Sequence, residues 1–175
     1  PLSNGEEALR SLQKVGESLD EKGVLLPTSD PFVLFVSRFR KELGEHFLLN
    51  MPSPRVIESV VNKRRFYEEA LSSGIPIPQT HFPTSLQEVM EIKDDLIYPA
   101  FLKPYFSHLW SERFGTKGFK VENRDQLVAR FKEIMPTGLE VMVQSIIQGP
   151  NTNHFKFSSY IDSNGKSIAG FTSQK

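Results

Sequence analysis

The chain has 175 residues, with 21 Lys+Arg balanced by 21 Asp+Glu, 38% hydrophobic residues and no cysteine. That length and apolar content give about one folded domain and exclude a disordered chain. Zero net charge argues against sequence-independent nucleic-acid binding, and the missing cysteine excludes disulfides, thiolate metal sites and thiol nucleophiles.

No apolar run approaches the ~20 residues of a membrane span and no basic-then-apolar leader opens the chain, so no membrane and a cytoplasmic location are expected. The chain starts at Pro1 and stops at Lys175 just after the apolar run Ile168 to Phe171. A strand pattern with no return strand predicts a piece of something longer.

In chain order, Leu9, Leu12, Val15 and Leu19 keep helical spacing and predict a helix over 6–23, stopped by Gly23. Val24 to Leu26 reads as a short buried strand. Thr28-Ser29-Asp30-Pro31 then reads as a cap, followed by a helix with Phe32, Phe35, Val36, Phe39 and Leu43 on one face, running toward Gly44. Phe47-Leu48-Leu49 is a second short strand. The strand–helix–strand rhythm points to a parallel α/β layer, and its few elements to the back half of a doubly wound domain.

Ser53-Pro54 opens another helix, with Val56, Ile57, Val60, Val61, Tyr67, Ala70 and Leu71 buried and Gly74 as its end. Ile75-Pro76-Ile77-Pro78 must be extended. Ser85-x-x-Glu88 is a capping box for a helix over 85–95. Ala100 to Lys103 is a strand closed by Pro104. Residues 105–118 read as a long polar loop with Gly115 and Gly118. Phe119-Lys120-Val121 is a strand, Asn123-x-x-Gln126 caps a helix, and Val141 to Ile147 is a strand. His154 to Asp162 alternates, Asp162-Ser163-Asn164-Gly165 is a hairpin turn, and Ile168 to Phe171 pairs back.

Three features could carry chemistry. Lys103 ends an apolar strand and must aim its ammonium at something, whether water or an anion. With the glycine-bearing loop after it, the lysine would sit under a flap, a way to hold phosphate. Lys63, in the middle of the helix at Asn62-Lys63-Arg64-Arg65, is a second candidate, its plain reading a solvated basic patch on a surface helix. Val143 to Pro150 is either a buried strand and turn, or a strand whose backbone meets the edge of an adenine. His46, His81, His108 and His154 lack metal-ligand spacing and read as structural, so no metal site is predicted. No G-x-x-x-x-G-K-[ST] loop exists.

In order and spacing, Asn62-Lys63, Gly74-Ile75-Pro76-Ile77-Pro78, Tyr98-Pro99-Ala100-Phe101-Leu102-Lys103-Pro104 and Val143 to Pro150 resemble the ATP-grasp superfamily. Gly149-Pro150-Asn151 and the ending Phe171 to Lys175 look like its D-aspartate-ligase-like, carboxylate–amine ligase branch. The resemblance is good over about 60–175. It implies an α/β fold with an α+β lid: an ATP-grasp N-terminal lobe preceded by part of a Rossmann-like domain. Its divisions would be 1–52 for the end of that domain, 53–97 for the linker helix and start of the ATP-grasp domain, 98–148 for the lid, and 149–175 for the beginning of an incomplete C-terminal sheet.

The resemblance further implies that Lys63 approaches the nucleotide from the linker helix and that Lys103 binds the α/β-phosphates. The loop over 107–118, with Gly115, Lys117 and Gly118, would close over the phosphates. Gln144 stands where the family often has a Glu that reads the adenine amino group. Ser145, Ile146 and Ile147 would supply backbone bonds, Asn151 or Asn153 would meet the ribose, and Lys175 would touch the terminal phosphate.

The implied cofactors are ATP and Mg²⁺, the metal's ligands falling beyond this chain. The implied reaction activates a carboxylate as an acyl phosphate for attack by an amine, so both partners are small molecules. The catalytic residues stay unassigned, and the chain alone is not expected to turn over. Two other functions remain open, a non-catalytic nucleotide-binding module and an α/β interaction domain without nucleotide. A bare sheet edge at 154–173 predicts self-association or poor order there.

Overall fold

The computed structural model describes residues 5–174. They fall into two compact units, one ending at Ser145 and one beginning at Ile146.

The first unit opens with α1 (Gly5–Glu17), β1 (Gly23–Leu25), α2 (Asp30–Arg38), α3 (Arg40–Gly44) and β2 (Phe47–Leu49). β1 and β2 pair in parallel, Val24 opposite Leu48, as the strand–helix–strand rhythm predicts. Leu9, Phe35, Val36, Phe39, Leu43 and Phe47 form the core of this layer. The predicted helix over 6–23 is shorter than expected, because Gly23 enters the strand instead of stopping the helix. The predicted single helix through Phe39 is two, broken where Phe39 leaves helical geometry at φ −100° and ψ 27°.

The next predicted helix also divides, into α4 (Pro54–Val61) and α5 (Lys63–Ser72). Asn62 is extended between them, and its side-chain oxygen accepts the backbone N–H of Arg65 at 3.2 Å. An N-cap needs that extended geometry, so the cap itself breaks the helix. Lys63 therefore opens a helix rather than lying in the middle of one. Gly74, at φ 70°, ends α5 in the left-handed conformation that glycine adopts without strain.

A four-stranded antiparallel sheet follows, built from β3 (Thr80–His81), β4 (Ala100–Pro104), β5 (Phe119–Val121) and β6 (Val141–Ser145) in the order β3-β6-β4-β5. α6 (Leu86–Ile92) and α8 (Arg124–Ile134) cover one face. Val89, Leu127, Phe131 and Ile134 pack there against Ala100, Leu102, Val121, Val141 and Val143. Both helices start at the predicted caps, with Ser85 accepting from the Glu88 N–H and Asn123 from the Gln126 N–H. The return bonds land one residue earlier than a strict box: Glu88 accepts from the Thr84 N–H and Gln126 from the Glu122 N–H.

The predicted long loop at 105–118 is largely helical. α7 (Ser107–Phe114) occupies most of it. Trp110 is 0% exposed and lies in the core against Phe114 and Phe119, at ring-centroid distances of 4.4 and 5.1 Å. The apolar payload of Trp110, packed with Phe114 of the same segment and with Phe119 of β5, outweighs the segment's polar composition and pulls it onto the sheet.

The second unit is an antiparallel hairpin of β7 (Phe155–Ile161) and β8 (Ser167–Gln174), preceded by a 3₁₀ turn at Asn151–Asn153. Asp162 holds the hairpin turn by accepting the backbone N–H groups of Asn164 and Lys166, both at 2.9 Å.

Candidate functional site

Strand alternation assigns the side chains of the four-stranded sheet to its two faces. In β4, Ala100 and Leu102 go to the core, so Phe101 and Lys103 go to the other face. Pairing Phe101 with Gln144 and Lys103 with Met142 puts those two residues of β6 on the same side. Thr80, opposite Gln144, joins them from β3.

Lys103, Gln144 and Thr80 form one polar chain on that face. The Lys103 ammonium donates to Gln144 Oε1 at 2.7 Å, and the Tyr67 hydroxyl of α5 donates to the same oxygen at 3.3 Å. Gln144 Nε2 donates to Thr80 Oγ1 at 2.9 Å, and the Thr80 hydroxyl donates to the Pro78 carbonyl at 2.7 Å. Gln144 is 4% exposed, so these bonds replace water it cannot reach.

Lys63 stands one helical turn before Tyr67 and presents to the same side of α5. Its ammonium donates to Ser107 Oγ at the start of α7, at 2.6 Å. Its backbone N–H donates to the Tyr105 carbonyl at 3.2 Å, tying α5 to the end of β4. Burial pushes the Lys63 ammonium below the ordinary lysine value, against an opposing pull from Asp30. Burial lowers Lys103 as well, and the nearby Lys63 charge adds to the lowering. Two half-buried ammonium groups that repel each other have only neutral hydrogen-bond partners. Such a pair favours any multiply charged anion that comes between them.

Three of the predicted residues, Lys63, Lys103 and Gln144, are thus brought together from three separate elements. Gln144 Oε1 accepts from Lys103 and Tyr67. The Ser145 backbone N–H donates to the Gln79 carbonyl at 2.9 Å and its hydroxyl to Gln79 Oε1 at 3.2 Å.

Gly115 caps α7 at φ 64°, with its N–H donating to the Ser111 carbonyl. Lys117 is exposed beside it. Gly118, at φ 146°, passes so close to β4 that a Cβ would collide with the Leu102 carbonyl and the Phe101 ring. Ile146, Ile147, Asn151 and Asn153 belong to the second unit, where Asn151 and Asn153 bound the 3₁₀ turn and Ile147 is exposed. Lys175 lies outside the described residues.

Tyr67, Thr80 and Ser107 are the partners that the sequence did not single out. Tyr67 carried a signal in its spacing of four from Lys63 along a helix. Thr80 and Ser107 carried none, because their roles depend on sheet register and on a helix read as loop. Among the described residues, no group of three or more His, Cys, Asp or Glu could hold a metal ion. No helix among them is long and apolar enough to cross a membrane.

No family model matches the chain. It is 26% identical over 170 residues to a D-aspartate ligase of Enterococcus faecium, across 90% of this chain and 39% of that protein. In fold it matches an L-amino acid ligase from Bacillus licheniformis with a TM-score of 0.66 and 18% identity, over 97% of this chain and 37% of the other. It matches the ADP complex of an N5-carboxyaminoimidazole ribonucleotide synthetase with a TM-score of 0.67 and 13% identity, over 93% of this chain and 39% of the other. The chain therefore spans about two fifths of the length of these three proteins, and what it shares with the two solved structures is their fold, that of ATP-grasp ligases.

Proposed function

We propose that this chain is the ATP-binding portion of an ATP-grasp ligase, one that activates a carboxylate as an acyl phosphate for attack by an amine. The observation that carries the reading is that Lys103, on the non-core face of the four-stranded sheet, has the Lys63 ammonium of α5 near enough to repel it, each half-buried and without a carboxylate partner in the ion pairs of the described residues. The similarity to a D-aspartate ligase and the fold match to an ADP-bound synthetase support the same nucleotide and the same class of chemistry.

In this reading the two ammonium groups neutralise the phosphates of the nucleotide. Lys103 is held by Gln144 and keeps two of its three protons for phosphate oxygens. Lys63 reaches them from the helix start, with Ser107 as its resting partner. Transfer of the terminal phosphoryl group to a carboxylate spreads negative charge, and fixed cations stabilise it more in a partly dehydrated site than in water. Among the described residues no group of three or more His, Cys, Asp or Glu could hold a metal ion, so Mg²⁺ is given no ligand and no step here. The acid, the amine and the groups that bind them also stay outside this assignment.

Calorimetry of the full chain with ATP and with ADP tests the reading. Wild type should bind, and Lys103→Ala should weaken binding about 10- to 150-fold, the worth of one charge-assisted hydrogen bond of roughly 1.5–3 kcal/mol. Folding should survive, because the ammonium is not in the core. Equal affinity in the mutant removes Lys103 from the site, and no binding by wild type leaves an α/β domain without nucleotide.

A further inference from the structure

We infer that Gln144 is a positioning residue whose amide, locked by Thr80 and Tyr67, holds the Lys103 ammonium in place without neutralising it. The use we give this device, presenting an unspent cation to a polyphosphate, rests on the proposed function. The device itself rests on the direction of each hydrogen bond.

The argument starts at Pro78, whose carbonyl can only accept. It takes the Thr80 hydroxyl proton at 2.7 Å, so Thr80 Oγ1 is left as an acceptor toward Gln144. The Gln144 NH₂ group must therefore face Thr80, at 2.9 Å. Its carbonyl oxygen then faces the opposite way, where Lys103 and Tyr67 both donate to it. With only 4% of Gln144 exposed, water cannot substitute for either end, and a flipped amide would set its NH₂ against an ammonium. A segment with Pro at 76 and 78, well away in sequence, thus decides which atom meets Lys103.

The charge consequence follows from the groups around Lys103. α5 contributes Lys63 and Tyr67, the first repelling the ammonium and the second directed at Gln144. β5 contributes Lys120 on the same sheet face, opposite Phe101 and paired to Glu122 at 2.8 Å. α7 contributes Ser107, which is neutral and faces Lys63, and Asp30 acts on Lys63. Gln144 fixes the ammonium with a dipole and cancels none of its charge. A carboxylate at 144 would fix it equally well and cancel the charge.

The test reads the lysine itself. The full chain, with lysine Cε labelled by ¹³C, is titrated from about pH 7 to 11 without nucleotide. The Lys103 signal is identified by its loss in Lys103→Met. Gln144→Glu should move the Lys103 midpoint upward by about one to three pH units, the effect of an opposite charge at contact, and should weaken ADP binding about tenfold, the equivalent of one such unit. Thr80→Val frees the amide to turn and should move the midpoint downward. It also decides the matter if Gln144→Glu does not fold. Lys103 titrating as in wild type in the folded variants overturns the inference. If wild type binds no ADP, the nucleotide reading fails while the titration still decides the role of Gln144.

Discussion

Lys63 and Lys103 are costly to the fold in the form that suits an anion. Both are pushed below the ordinary lysine value, so folding disfavours their charged states. Near neutrality each ammonium is charged in the folded and the unfolded chain, and the full burial penalty opposes folding. Between the lowered folded value and the unfolded value of about 10.4, the unfolded chain binds more protons, and stability rises with pH. Removing the charge should therefore stabilise the protein most at neutral pH. Lys103→Met, which leaves Gln144 Oε1 its bond from Tyr67, should melt a few degrees higher than wild type at neutral pH, with the gap closing as pH rises toward the unfolded value. Thermal melts across that range check it, and a lower melting temperature at neutral pH would show that the bond to Gln144 outweighs the burial penalty.

At the scale of elements, α7 is where sequence and structure part most clearly. Periodicity finds α8, β4 and β6 because each has several apolar residues in register with one face. Segment 105–118 instead carries its burial in Tyr105 and Trp110, with Phe106 and Phe114 partly buried, among polar and charged residues. A polar composition with two glycines reads as loop, yet Trp110, packed with Phe114 and Phe119, seats a helix. Its indole N–H donates to Thr116 Oγ1 at 3.1 Å, so even its polar atom is satisfied inside. Trp110→Ala should destabilise the first unit by about 3–5 kcal/mol, measured by denaturant unfolding. The amides of α7 should exchange more slowly than those of a mobile flap. Exchange as fast as that of unprotected peptide amides would return this region to the loop reading.

At the scale of the whole molecule, the sequence disclosed the parallel pair β1–β2 and the β7–β8 hairpin, which follow from apolar spacing and turn residues, while the antiparallel order of the four-stranded sheet came only with the structure. It also named Lys63, Lys103 and Gln144 together. What it could not disclose was the direction of the bonds among them, because register and amide orientation are tertiary facts. The two units differ in how they are built. The first has two buried cores, while the second is a two-stranded hairpin, a structure that is marginal in water by itself. Amides of β7 and β8 should therefore show less protection from exchange than those of β4 and β6. The self-association expected through 154–173 is read from sedimentation across concentration, where a monomer with strong protection in that segment would remove the expectation.

The break between α4 and α5 also bears on how such a site can vary. Because Asn62 ends one helix and caps the next, the direction of Lys63 depends on a neighbour that need not touch a ligand. Replacing it with a residue that continues the helix offers the chain a fused helix in which the lysine points elsewhere. A saturation library at position 62, selected for nucleotide binding, should return Asp, Ser and, less often, Thr and Gly beside Asn, and should discard Ala and Leu. Recovery of Ala at wild-type frequency would show that the lysine finds its place without the cap. The lysine can thus be re-aimed by inheritance at one position while its own codon stays unchanged.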